Sequence, residues 1–224
     1  MVLAPLVLAQ GILFEDDFSD GNYDGWFTES TGATYEVNSD ERFEFSYSGA
    51  DSIYSLAYRG DLGETMSEEN YSVLVETITH SPTGKTGLNI RFNTVTYTAY
   101  GLYLNYATGN YYILRYDSFS SYTLLGAYLA YPGGFDYLTP YWIRFECMID
   151  NLRAKIWTGE AGDEPADWMI VRVDNTYQNN GCLELESLRR DNGTHFDTEF
   201  DNVVVTSIPN SLESTTWGAI KNSF

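Results

Sequence analysis

Cysteine and histidine are both scarce in this chain, with two residues of each among 224. Cys147 and Cys182 permit at most one disulfide, and their strand phases oppose even that. Cys147 is in phase with Ile143 and Phe145 and points to the core, whereas Cys182 is out of phase with Leu183 and Leu185. Side chains that face opposite ways cannot reach the short Cβ separation a bridge needs. His80 and His195 stand at no ligand-like spacing from either cysteine, which removes a zinc site. Positive charge is equally thin, since 12 Lys and Arg meet 32 Asp and Glu for a formal net charge of −20. Such a chain repels a nucleic acid backbone and an anionic membrane surface. No stretch approaches the roughly 20 apolar residues of a membrane span. A serine nucleophile elbow, a phosphate loop and a zinc signature are missing as well.

What is present is a succession of short runs with a two-residue period, cut by turn clusters such as Ser81-Pro82-Thr83-Gly84, Pro132-Gly133-Gly134 and Asn179-Asn180-Gly181. Strands are expected around Phe14 to Phe18 and at Thr34–Val37, Phe43–Ser48, Ser52–Tyr58, Tyr71–Thr79, Thr123–Leu129, Tyr141–Ile149, Arg153–Thr158, Trp168–Val173, Cys182–Leu188 and Asp201–Ser207. Three more lie between Gly87 and Asp117. No helical period is visible between them. This pattern predicts an all-β fold, a two-sheet antiparallel β-sandwich of the jelly-roll type, over residues 10–207. Residues 1–9 read as a shortened export signal, apolar and ending in Val7-Leu8-Ala9, so the protein is expected to be secreted or at the cell surface. Residues 208–224 begin with a Pro-containing, Ser/Thr-rich linker. There Trp217, Ile220 and Phe224 would share one face of a short helix that gains order only by docking, which suggests a surface-assembly partner.

The three mid-chain runs carry the candidate chemistry. In GLNIRFN, Leu88, Ile90 and Phe92 share one face while Asn89 and Arg91 share the other. In YGLYLNY, Leu102 and Leu104 oppose Tyr103 and Asn105. In YYILRYD, Leu114 opposes Tyr111, Ile113 and Arg115, and Ala107-Thr108-Gly109-Asn110 closes the last two runs into a hairpin. Aromatic rings stack on the C–H faces of a pyranose, and amide or guanidinium donors bond its hydroxyls. Asn89, Arg91, Tyr103, Asn105, Tyr111 and Arg115 are therefore the candidate residues for binding a polysaccharide or glycan.

Three groups of residues resemble a known family: Phe14-Glu15-Asp16-Asp17-Phe18 with Trp26; Tyr141-Trp142-Ile143-Arg144-Phe145 with Ala154-Lys155-Ile156-Trp157 and Asp163-Glu164-Pro165-Ala166-Asp167-Trp168; and Gly181-Cys182-Leu183-Glu184-Leu185 with Phe200-Asp201-Asn202-Val203-Val204-Val205. Together they look like the concanavalin A-like lectin/glucanase superfamily, and in particular laminin-G-like modules of secreted bacterial proteins. The resemblance implies first and last strands lying side by side and a structural calcium ion near them, with Asp16, Asp17 and Asp201 at the matching positions. Catalytic relatives carry a Glu-x-Asp-x-x-Glu strand, which is absent here. Glu184 and Glu186 share a strand face, but solvent or structural roles are the default for such a pair. The leading expectation is a secreted, non-catalytic carbohydrate-binding module. The alternatives are an adhesive module assembled through its tail and a glycoside hydrolase or polysaccharide lyase.

Overall fold

Alternating apolar residues need a second layer to cover them, and the computed structural model supplies it as two packed sheets. It describes residues 11–47, 53–59, 70–177, 181–189 and 196–208; the expected export signal at residues 1–9, His195 and the residues after Ile208 lie outside these. Among these residues sixteen strands follow one another: β1 (Ile12–Asp16), β2 (Phe27–Ser30), β3 (Thr34–Val37), β4 (Phe43–Tyr47), β5 (Ile53–Tyr58), β6 (Tyr71–Thr79), β7 (Lys85–Asn93), β8 (Thr98–Asn105), β9 (Asn110–Ser118), β10 (Ser121–Leu124), β11 (Leu129–Ala130), β12 (Tyr141–Met148), β13 (Asn151–Trp157), β14 (Ile170–Val173), β15 (Cys182–Arg189) and β16 (Phe196–Ser207). The only helical element among the described residues is a single 3₁₀ turn at Ala161–Asp163. Sheet I runs β14-β13-β12-β6-β16-β4-β3, with β1 also on β16; sheet II runs β10-β9-β8-β7-β15-β5-β2, with β11 on β9.

The register stacks apolar residues across each sheet. In sheet II, Leu88 pairs with Leu185 on one side and Leu102 on the other, and Leu102 pairs with Ile113. In sheet I, Phe145 pairs with Val73 and Ala154, and Phe200 with Phe43. All nine are fully buried and belong to one continuous core, each large one contributing about 1.5–3 kcal/mol by leaving water. Both cysteines are buried, and no disulfide joins them. The antiparallel sandwich is as expected; β2 is an addition to it. Phe27 and Thr28 are exposed, so this edge strand has little buried alternation to betray it.

As the resemblance implies, β1 and β16 are neighbours, with Phe14 opposite Val205 and Asp16 opposite Val203. Gly11 and Ser207 close that ladder, the Ser207 N–H donating to the Gly11 carbonyl at 2.8 Å. β7 breaks its pairing with β8 between Ile90 and Asn93. Arg91 sits in that irregularity with φ of 53°, a left-handed value costly for a side-chain-bearing residue and held by the surrounding contacts. Gly181 stands beside it because a Cβ there would come within 2.3 Å of the Arg91 carbonyl carbon.

Candidate functional site

The outer face of sheet II is built on two glycines. Gly87 of β7 pairs with Tyr103 of β8, and Gly101 of β8 pairs with Asn89 of β7. A Cβ at Gly87 would lie 2.4 Å from Tyr103 Cε1; one at Gly101 would lie 2.6 Å from Tyr103 Cε2 and 2.1 Å from Asn89 Oδ1. With hydrogen at both positions, the Tyr103 ring lies down across the sheet and is wholly buried. Its hydroxyl donates to Glu186 Oε2, and Asn89 Nδ2 donates to the same oxygen at 3.0 Å. Two donors thus fix this carboxylate oxygen in place. Glu184, two residues earlier on β15 and also buried, has its pKa pushed well up, first by burial and then by Glu186, with Asn89 opposing and Glu29 adding.

Aromatic rings wall this floor. One pocket, with about 880 Å³ of space open to solvent, is lined by Tyr54, Tyr97, Tyr116, Phe119 and Tyr122 above Asn89, Glu184 and Glu186. An adjoining one of about 650 Å³ shares Tyr116, Tyr122 and Leu188 and extends past Tyr103 and Tyr112 to Tyr128, Asn105 and Lys85. Together they form one groove. Phe119 meets Tyr54 and Tyr97 edge to face, with ring centroids 4.9 and 5.3 Å apart. Tyr54 and Tyr97 both donate to the Glu29 carboxylate. On the other side Tyr112 stacks on Tyr103 at 5.8 Å and meets Tyr128 edge on at 4.7 Å. Phe119, Tyr122 and Tyr128 remain 48, 46 and 53 % exposed, which leaves their ring faces open to a ligand.

The six predicted residues do not make one open face, and the expectation needs correction. Asn89, Tyr103 and Asn105 do lie on the groove side, but Asn89 and Tyr103 are its buried floor rather than its contact surface. Asn105 lines the second pocket, and its Oδ1 has no hydrogen-bond partner among the described residues. Arg91 is buried on the other side: the irregularity in β7 turns it toward sheet I, where Nη1 donates to the Ile149 and Tyr177 carbonyls at 2.9 and 2.6 Å. Tyr111 is in the core between the sheets, opposite Leu104. Arg115 faces the same way as Tyr111 and is spent on Asp117, Asp174 and Thr176. The error on β9 is one of phase. Counting outward from the hairpin, Asn105 pairs with Asn110 and Tyr103 with Tyr112, so Tyr112, Leu114 and Tyr116 share the Tyr103 face. That count was available in the sequence, as were Gly87 and Gly101 in phase with Asn89 and Tyr103. Leu114, read as a core residue, misled.

The calcium expectation meets a poor donor set. Asp16 accepts the Phe18 N–H at 3.0 Å with one oxygen and the Trp26 indole N–H at 2.8 Å with the other. Asp17 accepts from the N–H and hydroxyl of Ser19, closing a turn. Asp201 accepts the N–H and amide of Asn202. Among the described residues no group of three or more His, Cys, Asp or Glu side chains is disposed to hold a metal ion. The side chains of Asp16, Asp17 and Asp201 thus do not fit a shared calcium site, and Asp16 instead anchors Trp26. No described helix is long and apolar enough to cross a membrane.

No protein-family model matches the chain, and no curated protein matches it in sequence. Solved structures do match in shape. A carbohydrate binding module, CBM66 from Bacillus subtilis, superposes with a TM-score of 0.60 at 14% identity, covering 82% of this chain and 96% of that one. The catalytic domain of an endo-1,3-beta-glucanase (laminarinase) from Thermotoga petrophila gives 0.64 at 10% identity, over 91% of this chain and all of that domain. Lectin II from Ulex europaeus gives 0.57 at 6% identity, over 87 and 98%. At such identities the likeness is one of architecture, and the architecture of this chain is the concanavalin A-like jelly-roll sandwich.

Proposed function

We propose that this protein is a carbohydrate-binding β-sandwich whose ligand lies in the groove on the outer face of sheet II. One observation carries the reading: a solvent-open run of aromatic rings above a polar floor, the combination that stacks on sugar rings while bonding their hydroxyls. Two of the three structural neighbours described above are a carbohydrate-binding module and a lectin, which supports it. The contact residues are Tyr54, Phe119, Tyr122 and Tyr128, with Asn105 reaching hydroxyls at one end. Affinity electrophoresis through gels containing soluble polysaccharides tests the reading. Tyr122→Ala is expected to weaken retardation by about 1–3 kcal/mol, and unchanged retardation in that variant would remove the groove as the site.

A second reading is hydrolysis, favoured by the paired acids Glu184 and Glu186 on the groove floor. Both are buried, and Glu186 is held by Tyr103 and Asn89, so we rank it below binding. Reducing ends released from the same polymers, and lost in Glu184→Gln, would reverse that order. Export remains our proposal from the apolar opening of the chain. Cleavage after Ala9 would leave Gln10 as the first residue of the exported product, which N-terminal sequencing can read.

A further inference from the structure

Resting on the glycan reading above, we propose that the groove takes uncharged sugar chains and turns away those bearing uronate, sulfate or sialate groups. Recognition of an anionic sugar needs a guanidinium, an ammonium or converging N–H donors aimed at it. Among the described residues that line the groove, Lys85 is the one cation, and it stands at the far end of the second pocket, beside Asn105 and away from Glu184. The two arginines on neighbouring strands are directed elsewhere. Arg91 holds the Ile149 and Tyr177 carbonyls on the opposite side of the sheet, and Arg115 is paired with Asp117 and Asp174. The first pocket instead presents carboxyl groups. Glu184 and Glu186 are on its floor, and Glu29 is behind its wall, taking the hydroxyl protons of Tyr54 and Tyr97.

The floor already holds two buried carboxyl groups two residues apart on one strand, and burial, with Glu186 adding to it, pushes the Glu184 pKa well up. A further anion in this partly dry first pocket would face carboxyl groups with no guanidinium or ammonium among the described residues that line it, a like-charge juxtaposition that disfavours binding. A neutral pyranose brings hydroxyl donors, which suit carboxylate and tyrosine oxygens, and apolar C–H faces, which suit the rings. The formal net charge of −20 also repels polyanions, but that field is screened within about 8 Å at physiological salt and about 3 Å at 1 M. Discrimination that survives salt belongs to the groove.

The experiment compares polymers that differ only in charge. Affinity gels contain polygalacturonate or its methyl ester, and glucuronoxylan or its carboxyl-reduced form, with a soluble β-glucan as a neutral reference. They are run at roughly 0.15 M and 1 M NaCl. Tighter retardation by the neutral member of a pair, about tenfold or more, is expected at both salt concentrations and should be lost in Tyr122→Ala. A charged member bound as tightly as its neutral partner would overturn the selectivity while leaving the glycan reading standing. So would a preference that vanishes at high salt, which would trace to net charge. Retardation by no neutral polymer, or retardation unchanged by Tyr122→Ala, would overturn the glycan reading itself.

Discussion

The outer faces of the two sheets are made by the same alternation and end up opposite in character. Sheet I pairs acids with cations across its outer face: Arg42 with Glu76 at 2.7 Å, Arg153 with Glu146 at 2.8 Å, and Arg144 and Lys155 with Glu164 of the loop after β13 at 2.7 and 2.9 Å. Its aromatics are closed in. Trp142 and Trp157 stack at 6.3 Å and donate to the Gly159 and Glu160 carbonyls of the loop above them, and Trp168 covers Arg153 and Lys155. On sheet II the acids face tyrosines and an amide, and the outermost rings stay open. Glu164 and Glu184 show the contrast within one residue type. Burial pulls both upward, but Arg144 and Lys155 bring Glu164 below the usual range, while Glu186 pushes Glu184 further up. A face that closes in its own rings and pairs its charges stabilises the fold, whereas a face that leaves aromatic rings exposed above polar groups is disposed to take a ligand.

The comparison breaks if stability and binding do not separate between the faces. The largest effect is expected for Trp142→Ala on sheet I, about 3–5 kcal/mol in urea unfolding with polysaccharide retardation unchanged; retardation lost in a still-folded variant would assign the ligand to the wrong sheet here. Gly101→Ala should cost about 1–3 kcal/mol by overpacking and should also weaken retardation, since the new methyl group lifts Tyr103 and Asn89 into the groove. A normal groove in that variant would show that the floor is soft.

The smallest effect concerns Asp201, whose pKa is raised to about 6, chiefly by burial, with the Asn202 N–H and Arg42 opposing and Glu76 and Asp17 adding. The folded protein therefore holds this proton more tightly than the unfolded chain does at the ordinary 3.8. The stability so gained is whole below the unfolded value and is lost as pH rises through about 6. Asp201→Asn should accordingly melt higher than the wild type above pH 6 and lose that advantage toward 3.8. A variant that melts lower at high pH would make the Asp201 contact with Arg42, 3.8 Å away, the stronger influence.

Most of the sandwich was legible because strands buried on one face announce themselves by period. Thr34–Val37 and Tyr71–Thr79 coincide with β3 and β6. The groove was half legible. Asn89, Tyr103 and Asn105 fell on the correct side, since β8 alternates without interruption. Arg91 was lost to a local break in β7 that no period reveals, and Tyr111 and Arg115 to a buried-looking Leu114 that packs with Tyr103 and Tyr112 on the outer face. Phe119 and Tyr122, at the β9–β10 turn, entered the site through tertiary folding. Pattern reading on strands could not reach them.

The antiparallel pairing of β1 with β16 also sets how the molecule yields to force. Gly11 and Ser207 emerge side by side at one end of that ladder. Tension applied through them therefore peels the bonds apart one after another instead of loading them together in shear. β1 is the strand that would detach first, and the aromatic groove, carried by the opposite sheet, is not in the path of the load.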